Sequence, residues 1–107
     1  MGMEKIKYVY LIQSLEDGYY KIGVSIHPIR RLCALQTGNS SELKLVESYQ
    51  SKYAHQIERT LQRRYSNLKK EGEWFDMSIS NEVSFLKECQ QIEKNMILLK
   101  KSGNVFI

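Results

Sequence analysis

The stretch Lys7-Tyr8-Val9-Tyr10-Leu11-Ile12-Gln13-Ser14-Leu15, followed by Glu16-Asp17-Gly18 and then Tyr19-Tyr20-Lys21-Ile22-Gly23-Val24-Ser25, decides the fold. Both flanks are rich in aromatic and β-branched residues, and the triplet between them has turn chemistry, so the pattern predicts a β-hairpin. Side chains alternate between the two faces of a strand. A turn with an even number of residues therefore puts odd positions of the first strand on the same face as even positions of the second. One face then holds Val9, Leu11, Tyr20, Ile22 and Val24, a core face. The other holds Tyr8, Tyr10, Ile12, Tyr19, Lys21, Gly23 and Ser25, which combines phenols, an amine and a position with no side chain. That second face reads either as a site or as a solvent face with a glycine marking a bulge, and pattern alone favours the solvent face.

Outward from the hairpin, Pro28 suits the first turn of a helix, with Ile29, Leu32 and Leu35 at helical spacing and Gly38-Asn39 as a stop. Ser41 to Gln50 alternates Leu43 and Leu45, then Val46, with polar neighbours, and predicts a third strand. From Tyr53 to Leu68 the apolar positions Ile57, Leu61, Tyr65 and Leu68 share one helical face. Glu73-Trp74-Phe75 reads as a short extended piece. Ser80 or Asn81 is expected to cap a last helix to about Lys101, with Val83, Leu86, Ile92 and the Met96 to Leu99 run as its buried face. The expected architecture is α+β: a small three-stranded antiparallel sheet flanked by helices. Residues 1–107 are expected to form a single domain, with a core over about 7–76 and a C-terminal helix over about 80–101.

The length of 107 residues at 42% hydrophobic content suits one small domain. A formal charge of +4 permits polyanion binding without requiring it. Hydrophobic runs such as Val9 to Ile12 and Met96 to Leu99 fall far below the roughly 20 residues that span a bilayer. No membrane-spanning segment is expected. The start lacks an apolar signal core, so a cytoplasmic location is expected. Cys33 and Cys89 lack disulfide-framework or zinc spacing and are expected as buried thiols. His27 and His55 are expected in capping or surface roles.

Three features bear on chemistry. Arg30 and Arg31, early in the first helix, can bind phosphate through a bidentate guanidinium. Lys52 to Lys70 contains six cations (Lys52, Arg59, Arg63, Arg64, Lys69, Lys70) and a single acid, Glu58. Glu58 is nearly eclipsed with Tyr65 at the edge of the apolar stripe, and it has no Lys or Arg three or four residues away to pair with. A carboxylate beside a phosphate-binding surface repels the ligand unless a divalent cation lies between them, and hard cations such as Mg²⁺ prefer oxygen donors. The alternative is a half-exposed acid paired to another element. Trp74 and Phe75 read either as base-stacking aromatics or, more simply, as core anchors.

Taken in order, these pieces resemble the GIY-YIG nuclease superfamily over roughly residues 7–76. Tyr8-Val9-Tyr10-Leu11-Ile12 matches the first motif, and Lys21-Ile22-Gly23 matches the second, with lysine where the eponymous tyrosine stands. Arg31 falls at the helix arginine, Glu58 at the metal-binding glutamate. Leu35-Gln36-Thr37-Gly38-Asn39 and Gly72-Glu73-Trp74-Phe75 resemble a phage-associated branch. The resemblance implies a metal-dependent DNA endonuclease that hydrolyses phosphodiester bonds with Mg²⁺ or Mn²⁺ on Glu58. Arg31 would bind phosphate, and Tyr10 and Lys21 would activate or orient water, with the base open between the two. Nucleic-acid contacts are expected from Lys21, Arg30, Arg31, Arg59, Arg63 and Arg64. Asn67 and Asn81 both stand where the family's late asparagine is possible. DNA is the expected partner, with a homodimer or a specificity-conferring partner to select sites. A non-catalytic nucleic-acid-binding module and a protein-interaction adaptor docking through Ile97, Leu98 and Leu99 are the competing readings.

Overall fold

A computed structural model describes residues 6–103. Lys7–Ser14 (β1) and Tyr20–Ser25 (β2) form the expected antiparallel hairpin, with Val9 opposite Val24, Tyr10 opposite Gly23 and Ile12 opposite Lys21. The Ser14 N–H donates to the Tyr19 carbonyl at 2.9 Å, closing a four-residue turn over residues 15–18. Gly18 in that turn has φ 78°, a conformation that glycine adopts without steric cost. An even turn is the condition under which the face assignment above holds, and the pairing follows it.

The remaining elements are Pro28–Thr37 (α1), Leu43–Ser51 (β3), Ala54–Arg64 (α2), a 3-10 turn over Ser66–Leu68, Trp74–Phe75 (β4) and Ile79–Lys101 (α3). The sheet has four strands in the order β3-β1-β2-β4, all antiparallel, rather than the three expected. The added strand is the short extended piece at Trp74-Phe75, which pairs with Tyr20 and Lys21. A register shift in the β1–β3 pairing between Leu11 and Ile12 skips Val46 and sets Leu45 beside Ile12 on the α1 side, while Val46 packs on the opposite face.

Both faces of the sheet are covered. Val9, Leu11, Tyr20 and Ile22 pack with Ile57, Leu61 and Tyr65 of α2 and with Phe85, Cys89 and Ile92 of α3. On the opposite face Tyr10, Ile12 and Leu43 are buried beneath Leu32 and Leu35 of α1, with Trp74 alongside. The expectation of a solvent face is therefore corrected, because α1 folds over it. Ile29, placed on the apolar side of this helix by spacing, is instead 68% exposed, and Cys33 is exposed rather than buried. Both leave Leu32 and Leu35 as the inward pair. Cys89 is buried as expected.

Two helix boundaries differ from expectation. The helix expected to reach Leu68 ends at Arg64 and tightens into the 3-10 turn. For α3 the cap is Ser78, not Ser80 or Asn81: its hydroxyl accepts from the Asn81 N–H, and the Asn81 side chain accepts from the Ser78 N–H. The buried face of α3 also differs. Phe85, Cys89 and Ile92, extended by Met96, recur at i, i+4, i+7 and i+11 and form the core stripe. Val83 points about 160° from Phe85 at 100° per residue, and it is 77% exposed, while Leu86 is also exposed.

Polar pins hold α3 to the body. The Tyr20 hydroxyl donates to Glu82, and the Tyr65 hydroxyl donates to Glu88 Oε2 at 2.5 Å. Burial and then the Glu82 carboxylate push the Tyr20 phenol up to about 12. Burial and the neighbouring Glu93 carboxylate do the same for Tyr49. A phenol whose pKa is raised on folding stabilises the fold fully below its ordinary value of 10.0, and that contribution disappears as pH rises through about 12. The melting temperature is therefore expected to fall between those pH values, with a smaller fall in Tyr20→Phe. Thermal unfolding followed by circular dichroism across alkaline pH checks this; an unchanged fall in the variant would remove Tyr20 as a cause.

Candidate active site

The site begins with the pair Tyr10 and Gly23, cross-strand neighbours on the face covered by α1. A Cβ at Gly23 would overlap the phenol end of the Tyr10 ring, so the missing side chain is the space the ring occupies. The β1–β2 register is regular there, which corrects the bulge reading of this glycine. Tyr10 is buried, its ring set by strand geometry rather than by a flexible loop.

Lys21 lies on the same face, opposite Ile12 on one side and Trp74 on the other. Its side chain is 9% exposed, and its ammonium meets Glu73 Oε2 at 3.2 Å and lies 5.8 Å from the centre of the Trp74 ring. A buried ammonium requires such a partner. Glu73 itself is 74% exposed, so the pair opens to solvent on the carboxylate side. A tight return of the chain positions it. The Lys70 N–H donates to the Trp74 carbonyl at 2.7 Å, the Asp76 N–H donates to the Leu68 carbonyl at 2.8 Å, and Gly72 between them has φ 69°. Trp74 is half-buried against the Tyr10 cluster, as the core-anchor reading expected.

Glu58 comes from α2, on the other side of the sheet, beside the edge of β2. Because β4 pairs only with Tyr20 and Lys21, the rest of β2 is left as an open edge. Gln62 Nε2 donates to the Ile22 carbonyl at 3.0 Å and moors α2 beside that edge. Glu58 stands one helical turn before Gln62 on the same helix face. It is half-buried. Its carboxyl pKa is raised, first by burial and also by the Glu73 carboxylate, against the lowering effects of His55, Arg59 and Lys21. Glu58 thus senses the charges of both Lys21 and Glu73. Among the described residues Glu58 forms no ion pair.

The other basic residues divide by partner. Arg30 and Arg31 are exposed on α1; Arg31 lies about 40° from the inward Leu35 and Arg30 about 140° from it. Arg30 lines a groove of about 700 Å³ with Tyr8, His27, Cys33 and Leu45. Arg59 and Arg63 line a separate cavity of about 340 Å³ with Lys69 and Glu73. Arg64 is engaged elsewhere, its Nη1 meeting Glu88 Oε1 at 3.2 Å, in the network that holds α3. His27 occupies the N-cap position of α1 without a side-chain cap bond, and His55 is exposed and accepts from Lys7 Nζ at 3.0 Å. Asn81 is committed to the α3 cap, while Asn67 is exposed.

The donor chemistry bears on a divalent cation. Among the described residues no group of three or more His, Cys, Asp or Glu side chains comes together. Glu58 is a carboxylate without an ion-pair partner, near a second exposed carboxylate at Glu73. That set fits a hard cation which takes one or two protein oxygens and completes its shell with water and phosphate, the habit of Mg²⁺. Gln62 was not named by sequence reasoning, Lys69 was read only as one of six cations, and Glu73 only as part of an extended piece. A two-residue strand has no periodicity that would place Glu73 against Lys21.

Such an antiparallel four-stranded sheet, with one helix on one face and two on the other, is consistent with a small GIY-YIG-like α+β fold. The chain belongs to the T5orf172 domain family, whose model matches residues 7–96. This is a phage-associated domain within the GIY-YIG-like nuclease fold family. No curated protein and no solved structure matches the chain. Among the described residues no helix is long and apolar enough to cross a membrane.

Proposed function

We propose that the protein is a metal-dependent DNA endonuclease hydrolysing phosphodiester bonds. The observation that supports this reading is a half-buried Glu58 without an ion-pair partner among the described residues, within electrostatic reach of Lys21, in a family of nuclease-like domains. Glu58 would hold Mg²⁺ or Mn²⁺, which when bound polarises the phosphate and stabilises the leaving oxygen. Arg31 binds a nonbridging phosphate oxygen and offsets charge that builds in the transition state. Tyr10, fixed against Gly23, orients the attacking water or takes its proton. Lys21 contacts phosphate or assists Tyr10, for which its ammonium exchanges the Glu73 carboxylate for a substrate oxygen.

Few phosphate contacts fit on so small a surface, and nonspecific affinities of about 10⁻⁴ to 10⁻⁶ M at physiological salt are expected. Site choice then comes from a second copy, a partner or DNA structure. The deciding experiment is a cleavage assay on supercoiled, linear, single-stranded and branched DNA with Mg²⁺, Mn²⁺ or EDTA. Nicking that requires the ion is the expected result. Salt-sensitive binding without cleavage under every condition would sink the enzyme reading in favour of a binding module.

A further inference from the structure

The cavity walled by α2, the 3-10 turn and β4 touches the proposed site through Glu73, and its basic residues have no part in the proposed chemical step. Arg59 and Arg63, four residues apart on α2, line it together with Lys69, Ser66 and Phe75. Like charges at i and i+4 destabilise a helix by a few tenths of a kcal/mol. None of the three cations forms an ion pair among the described residues. The one acid in the lining, Glu73, is already matched by Lys21. The cavity therefore has a net positive charge and no partner for it within the described fold. Its walls are held in place: Gln62 is bonded to β2, and the Lys69 to Phe75 return is closed by backbone hydrogen bonds.

We infer that this cavity is a subsite for a backbone phosphate of the bound DNA strand, next to the phosphate that is cut. It rests on the reading that the protein acts on nucleic acid. Two guanidinium forks on one helix face suit the tetrahedral oxygens of a phosphodiester, and a lysine adds a point charge. Gln62 and Arg63 lie about one turn, about 5.4 Å, along α2 from Glu58 and Arg59. At 3.4 Å of rise per nucleotide, that offset corresponds to roughly one or two nucleotides. The subsite fixes the register of the strand over Glu58, and the neighbouring Arg64, tied to Glu88, takes no part.

The adjacent arginines make the test. Binding of a fluorescent DNA duplex is titrated by anisotropy in EDTA, where no cleavage is possible, for the wild type, Arg63→Gln, Arg59→Gln/Arg63→Gln and Arg64→Gln, from 50 to 200 mM salt. Each lost phosphate contact lowers the slope of log K against log salt by about 0.9. Arg63→Gln is expected to weaken binding and reduce the slope by about one contact, the double variant by up to two, and Arg64→Gln to leave the slope unchanged. Circular dichroism confirms that each variant folds. Equal slopes for Arg63→Gln and the wild type, or equal losses for Arg63→Gln and Arg64→Gln, would overturn the subsite. Neither result bears on ion-dependent scission, which is judged separately by the cleavage assay.

Discussion

Replacing Glu58 with alanine is expected to abolish ion-dependent cleavage while fold and DNA affinity remain largely intact. The side chain forms no ion pair among the described residues, so its removal orphans no cation. Its raised pKa shows that the fold disfavours the ionised form, burial first and the Glu73 carboxylate also contributing. A carboxyl raised on folding stabilises the protein only below its unfolded value, and the ionised group at neutral pH is a cost. Glu58→Gln is therefore expected to melt higher than the wild type at pH 7 and still fail to cut. Under the proposed role, a cation bound beside the carboxylate would offset that cost. A proton competes with the ion for this carboxylate, so wild-type cleavage is expected to fall on acidification, with a midpoint that moves down as the ion concentration rises. Plasmid nicking, thermal melts and binding isotherms of the two variants are the measurements. A variant that still nicks at the wild-type rate removes Glu58 from the site.

What could be read in the sequence and what could not have different physical origins. Strand alternation and the Asp17-Gly18 turn are local, so the hairpin and, given an even turn, the shared face of Tyr10 and Gly23 could be derived from order alone, whereas their direct pairing is set by the register of the fold. The burial of that face could not, because it depends on α1 crossing over β1 and β2, a tertiary fact. In α3 the apolar residues are numerous enough to suggest several stripes, and the one that packs runs through Cys89, which pattern reading left out. The break after Arg64 has no glycine or proline to announce it. The Lys21–Glu73 pair joins residues from distant segments through a two-residue strand, and periodicity has nothing to say about so short an element. Arg64 illustrates the limit of counting cations: it looked equivalent to Arg63, and Glu88 separates them.

Arg31→Ala is expected to slow cleavage by about 10² to 10³ at saturating DNA, the usual cost of removing one preorganised donor to a transition-state oxygen. The fold should not change, since the guanidinium is exposed and forms no ion pair among the described residues. Its backbone is fixed nonetheless: the Arg31 N–H donates to the His27 carbonyl at 2.9 Å in the first turn of α1, behind Pro28. That turn is anchored on the Tyr10 cluster by Leu32 and Leu35, so the arginine is held from the same side of the sheet as the phenol. Arg30, one position earlier, points about 140° from Leu35 and opens onto the groove beside His27 and Cys33. Arg30→Ala is accordingly expected to weaken binding slightly and leave the saturated rate near that of the wild type. Single-turnover rates at saturating DNA separate the two residues. Loss of affinity with an unchanged saturated rate in Arg31→Ala would make Arg31 a positioning residue, and the charge on the transition state would then fall to Lys21 and the ion at Glu58.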